Sequence, residues 1–131
     1  MNRLAVALVL AASVLVPPQQ PVVRNPHHLR AVELLAQRRP GVPPRVRFEW
    51  DQVTGAREYA LTGRWTKPPS WTMQTNDYRV TAQTATSWDA ERVQFDVTLP
   101  EGHHSWKVVA LFGAGGVGDF ANPTPFSFEL R

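Results

Sequence analysis

Two adjacent histidine pairs, His27-His28 and His103-His104, and the glycine run Gly113-Ala114-Gly115-Gly116-Val117-Gly118 come closest to residues that could do chemistry. Four histidines are a metal set on paper. Neighbouring residues, however, point to opposite faces of a strand and diverge by about 100° on a helix, so neither pair converges on an ion by itself. The glycine run has the letters of a dinucleotide-binding fingerprint. That fingerprint needs a helix opening at the glycines and an acidic residue about twenty positions on. Pro123 and Pro125 forbid the helix, and the sequence stops at Arg131, so the run reads as a hairpin loop. Asp89 and Glu91 share a loop with nothing around them that suggests an acid/base pair. Asn122-Pro123-Thr124 has proline in the middle and is not a glycosylation acceptor. Cysteine is absent, which excludes a disulfide, a zinc thiolate site and a thiol nucleophile. No catalytic residue, cofactor or metal is expected, and the chain is not expected to be an enzyme.

The five tryptophans carry more information. Trp50, Trp65 and Trp106 fall at alternating apolar positions and are expected in a core. Trp71 and Trp88 lie in polar loops, where exposure calls for a partner, a sugar or a membrane interface. The competing reading is that both fold back over an open end of the domain.

The elements that position them follow from periodicity. Val46, Phe48 and Trp50 alternate with Arg47, Glu49 and Asp51, as in a half-buried strand. Gly55-Ala56 supplies a turn, after which Tyr59, Leu61, Gly63 and Trp65 face inward. Tyr78, Val80 and Ala82 suggest a short strand, and Val93, Phe95, Val97 and Leu99 a clear one. Trp106, Val108, Ala110 and Phe112 form the next inward face; Val109 and Leu111 sit on its outward side, so that strand is expected to be covered on both faces. Phe126, Phe128 and Leu130 end the chain. Six or seven short antiparallel strands separated by turn signals predict an all-β sandwich over residues 43–131.

Upstream, residues 1–16 pair a basic start with a thirteen-residue apolar run from Leu4 to Val16. Such a helix spans about 20 Å, short of the ~30 Å hydrocarbon core. A secretory signal peptide and a retained membrane anchor are both open. Residues 17–42 read as a proline-rich linker followed by a short basic helix. Asn25-Pro26 suits its start, Leu29, Val32, Leu35 and Ala36 share a face, and Pro40-Gly41 ends it. Charge is uneven: residues 24–47 hold six arginines against Glu33, whereas residues 48–131 hold seven basic and ten acidic residues. A basic segment before a mildly acidic domain fits anionic lipid headgroups or an acidic partner, not nucleic acid.

Trp50, Val53, Gly55-Ala56, Tyr59 and Leu61 resemble the second and third strands of a fibronectin type III or related immunoglobulin-like domain. Leu99-Pro100-x-Gly102 leading to Trp106-x-Val108-x-Ala110 resembles the turn and strand around that family's tyrosine corner. Trp106 replaces the tyrosine, so the resemblance implies a corner hydrogen bond made by an indole N–H or lost. A second set is similar in order to glycogen-binding early-set domains: Ala60 to Trp65, then Leu99-Pro100-Glu101-Gly102, Trp106 to Val109, and Asp119 to Pro123. The first resemblance implies a spacer or binding surface; the second implies exposed aromatics against sugar rings.

The expected function is therefore an extracytoplasmic binding or scaffolding module, periplasmic or secreted; with the anchor retained, the expectation sharpens to an accessory subunit of a membrane complex such as an energy-transducing or envelope assembly. Its candidate contact residues are Trp71, Trp88, Tyr78, Arg30, Arg38, Arg39, Val109 and Leu111. The alternative is a carbohydrate-binding module using Trp71, Trp88 and Tyr78. A coplanar aromatic platform favours sugar, and a wide apolar patch including Val109 and Leu111 favours protein.

Overall fold

A computed structural model of the chain describes residues 26–113, 116–117 and 124–131. The apolar run 4–16, the spacer 17–25, Ala114, Gly115 and Gly118 of the glycine run, and Asp119 to Pro123 lie outside them. Among the described residues, no helix is long and apolar enough to cross a membrane.

Among the described residues, nine antiparallel strands form a two-sheet sandwich. They are β1 (Arg30–Glu33), β2 (Arg45–Asp51), β3 (Glu58–Thr66), β4 (Gln74–Thr81), β5 (Ser87–Trp88), β6 (Arg92–Thr98), β7 (Gly102–Phe112), β8 (Gly116–Val117) and β9 (Phe126–Leu130). One sheet has the order β1-β2-β6-β5. The other runs β4-β3-β7, with β8 and β9 both pairing with β7. Val46, Phe48, Trp50 and Val93 from the first sheet meet Tyr59, Leu61, Val80, Trp106, Val108, Ala110 and Leu130 from the second, all buried. The strand alternation read from the sequence thus gives the core face directly.

The basic helix does not form. Arg30–Glu33 is instead a strand on the open edge of β2, pairing Arg30 with Glu49 and Glu33 with Val46. The Asp51 N–H to His27 carbonyl bond (2.9 Å) and the Leu34 N–H to Arg45 carbonyl bond (2.8 Å) extend the ladder. Only a three-residue 3-10 turn, Leu35–Gln37, remains of the helix. An isolated helix of that length is marginal in water, whereas β2 carries three core residues and needs a partner on both edges. Leu29 and Ala31 pack against the core from this strand, so tertiary pairing overrides helix propensity.

The turn after β2 forms as expected. Ala56 N–H donates to the Val53 carbonyl (3.0 Å), with Gly55 at φ 86°, the left-handed third position of a type II turn. The Tyr59 hydroxyl accepts from Val53 N–H (2.8 Å) and pins that turn to β3. Gly63 faces inward directly opposite Trp106. A Cβ there would overlap the indole ring, so the glycine is the space in which Trp106 lies.

The outer face of the first sheet is ionic. Arg47 holds Asp96 through two bonds of 2.7 and 2.9 Å. The buried Glu49 is approached by Arg30, Arg92 and Gln94. Burial alone would raise the Glu49 carboxyl; those three partners hold it below the ordinary carboxylate range.

Candidate functional site

Strand direction sorts the loops into two ends. One end carries the 34–44 segment, the β3–β4 loop, the β6–β7 turn and the close of β9. The other carries the 51–57 turn, the loop around β5 and the beginning of the described chain, where His28 Nδ1 lies 2.6 Å from Asp51 Oδ2.

Trp71 belongs to the first end. It is 53% exposed on the β3–β4 loop, and its φ of 56° puts a bulky residue in the left-handed region. That conformation costs about 1–3 kcal/mol and persists only where the surroundings impose it. Here its N–H donates to the Lys67 carbonyl (2.9 Å) and its ring stacks on His103, with centroids 5.4 Å apart and planes 29° apart. Met73, 52% exposed, lies two residues on. Beside them is a cleft of about 430 Å³ lined by Trp65, Met73, His103, Ser127 and Phe128 among others. A second cleft, of about 500 Å³, is lined by Arg38, Arg39, Val42, Lys67 and Glu101 among others. The same loop therefore contributes Lys67 to one cleft and Met73 to the other.

Beneath the first cleft runs a polar relay. The Trp106 indole N–H donates to His104 Nδ1 (3.1 Å), and His104 Nε2–H donates to the Pro100 carbonyl (2.7 Å). An indole can only donate and a carbonyl can only accept, so the pair fixes the neutral Nε2–H tautomer. Burial lowers the His104 pKa and neighbouring His103 adds to that, against the Pro100 bond, which raises it. The indole N–H read from the turn sequence thus has its acceptor, with imidazole relaying it to the backbone. The sequence reading missed His104; its spacing of four from Pro100 and two from Trp106 was the available signal.

The other expected contact residues divide. Arg38 stands at the Trp71 end but is engaged: it bonds Glu33 (3.0 Å) and the Arg131 carbonyl (3.0 Å) and lies 3.7 Å from Glu101. Arg39 is exposed there. Arg30 is occupied by Glu49 on the outer face. Trp88 lies at the opposite end from Trp71, half-buried, its ring 5.2 Å from Tyr59. Tyr78 is half-buried between Phe95 and Trp106. Trp71, Trp88 and Tyr78 therefore form no common platform. Val109 is 2% exposed, opposite the buried Ala60, and Leu111 is half-buried, so among the described residues they form no wide exposed apolar patch. Trp65, expected in the core, is half-buried and stacks on Trp106, with planes 8° apart.

The histidine pairs sit at opposite ends of the sandwich, and no group of three or more metal-ligating side chains occurs among the described residues. Comparison with protein-family models gives no match, and comparison with curated proteins gives none either.

Proposed function

We propose that this chain is a non-catalytic binding module with a sandwich of the immunoglobulin-like, fibronectin type III-like kind. On this reading it is extracytoplasmic, exported or tethered by its N-terminus, and holds a protein partner, as an accessory subunit of a membrane complex would. Two features support the sandwich class. The strand order β1-β2-β6-β5 against β4-β3-β7, with β9 as well as β8 pairing with β7, is an order that an immunoglobulin-like sandwich would have. The Trp106–His104–Pro100 relay occupies the turn where the resemblance expects a corner hydrogen bond.

One observation carries the binding reading: a tryptophan held exposed, in a strained backbone conformation, by a specific stack on His103. The His103 stack and the Lys67 bond hold that strain at an exposed position, and such positions cluster at ligand clamps. A photo-crosslinking side chain at the exposed Thr72, introduced into the protein in its native cells, tests it. The expected result is a crosslink to a discrete protein that an equivalent probe at Thr84 does not make. Glycan-array binding abolished by Trp71→Ala, with no protein crosslink, would replace the reading with sugar binding.

A further inference from the structure

All five exposed large apolar side chains among the described residues, Val32, Leu35, Val42, Trp71 and Met73, lie toward one end of the sandwich. They come from three separate stretches of chain: Val32 lies beside Arg47 on the outer face of the first sheet, whereas Val42 shares a cleft with Lys67, whose carbonyl holds Trp71. A single exposed leucine needs no explanation, but Val42, Trp71 and Met73 flanking two neighbouring clefts mark a contact surface. The net charge there is positive. The carboxylates of that end, Glu33, Glu101 and Glu129, are already taken by Arg38, Arg131 and His103. Arg39, Arg45, Arg64 and Lys67 make no ion pair among the described residues. The edge strand beside Trp71 is also open where it begins. Asp77 N–H and Thr81 N–H, which point off the β4 edge, are covered by the Asn76 and Thr84 side chains. Alternation makes Thr75, next to this end, point the same way, and no side chain among the described residues covers it.

We infer that this end binds an extended acidic peptide segment of a partner protein, its apolar side chains against Trp71 and Met73 and its carboxylates against Arg39 and Lys67. The inference rests on the binding reading above and gives its partner a chemistry. Charge complementarity selects the acid, and an open strand edge beside apolar clefts selects an extended chain.

Selection of a random twelve-residue peptide display library on the full-length protein tests it. The expected result is enrichment of sequences rich in Asp and Glu with interspersed aromatic or aliphatic residues. Their binding should weaken at least tenfold with the double variant Arg39→Glu/Lys67→Glu, weaken similarly with Trp71→Ala, and fall as salt is raised. All three positions are exposed, and an unchanged melting temperature in each variant confirms that binding alone is read. Enrichment of basic or uncharged sequences, or no enrichment, overturns the inference. So does displacement of peptides by anionic vesicles containing about one third phosphatidylserine, or self-association through this end in sedimentation. A Thr72 crosslink combined with non-acidic selection removes the acidic partner and leaves the binding reading standing; absence of both removes both.

Discussion

At residue scale the fold depends on a few side chains whose partners leave no alternative. Trp106 is one, because its ring fills the place of a side chain at Gly63. Gly63→Ala should therefore destabilise at the upper end of the overpacking range, about 3 kcal/mol, read as a lower urea midpoint. His104 is another. Its folded-state pKa lies below the ordinary histidine value, so the unfolded chain takes up the proton first. Stability should be flat above about pH 7 and decline as pH falls through the unfolded value near 6.5. Melting temperatures compared at pH 7.5 and 5.5 report this, and His104→Gln should flatten the decline over that interval. An unchanged melting temperature in the parent protein across the interval would contradict the relay. Trp71 behaves in the opposite sense. Its left-handed backbone suits glycine at little cost, so Trp71→Gly should leave stability unchanged, or raise it by up to about 1 kcal/mol, while binding is lost. A large fall in melting temperature for that variant would make Trp71 a structural residue instead of a contact.

At the scale of elements, the segment before β2 shows where local pattern ceases to decide. Arg30 to Arg39 has helix-favouring composition, and Leu29, Val32, Leu35 and Ala36 fall on one helical face. The same residues also alternate, with Leu29 and Ala31 inward and Arg30 and Val32 outward, and the strand pairing uses that weaker period. What selects it is the unpaired edge of β2, which no window on this segment can see. β2, β3, β6, β7 and β9 were legible because one buried face imposes a period of two. The burial of Val109 was legible too, from apolar residues on both faces of β7, but Trp88 was not, since whether a loop folds back depends on elements distant in sequence. The consequence is testable. Removing residues 26–34 should strip the β2 edge and yield aggregated or unfolded protein, whereas removing only residues 1–25 should leave a cooperative thermal transition. Equal stability of the two truncations would restore the segment to a mere linker. Arg38 secures the same region to the β9 terminus. Arg38→Ala should cost only about 1 kcal/mol and speed amide exchange in β1 and at the end of β9 before the core.

On the scale of the whole molecule, the two ends carry different residues. The described chain begins where Asp51 N–H meets the His27 carbonyl, and the surface bearing Trp71, Leu35 and Lys67 lies at the far end. The eleven residues of β7, at ~3.4 Å each, separate the ends by about 35 Å. Residues 17–25 reach at most about 30 Å when fully extended. If residues 4–16 hold the protein at a bilayer, the tether keeps the His27 end within about 30 Å of it, and the protein-binding reading expects the domain to stand with that end toward the bilayer and the Trp71 surface away from it. The full-length chain in vesicles tests this through energy transfer from a dye to a headgroup-labelled lipid. A dye at the exposed Thr54, on the 53–56 turn, should transfer strongly, and one at Thr72 only weakly. Strong transfer from Thr72 would mean that the basic, apolar end lies on the membrane. Transfer from neither position, together with recovery of a shortened mass in soluble extract, would mean that the N-terminal segment is an export signal and that the domain meets its partner in solution.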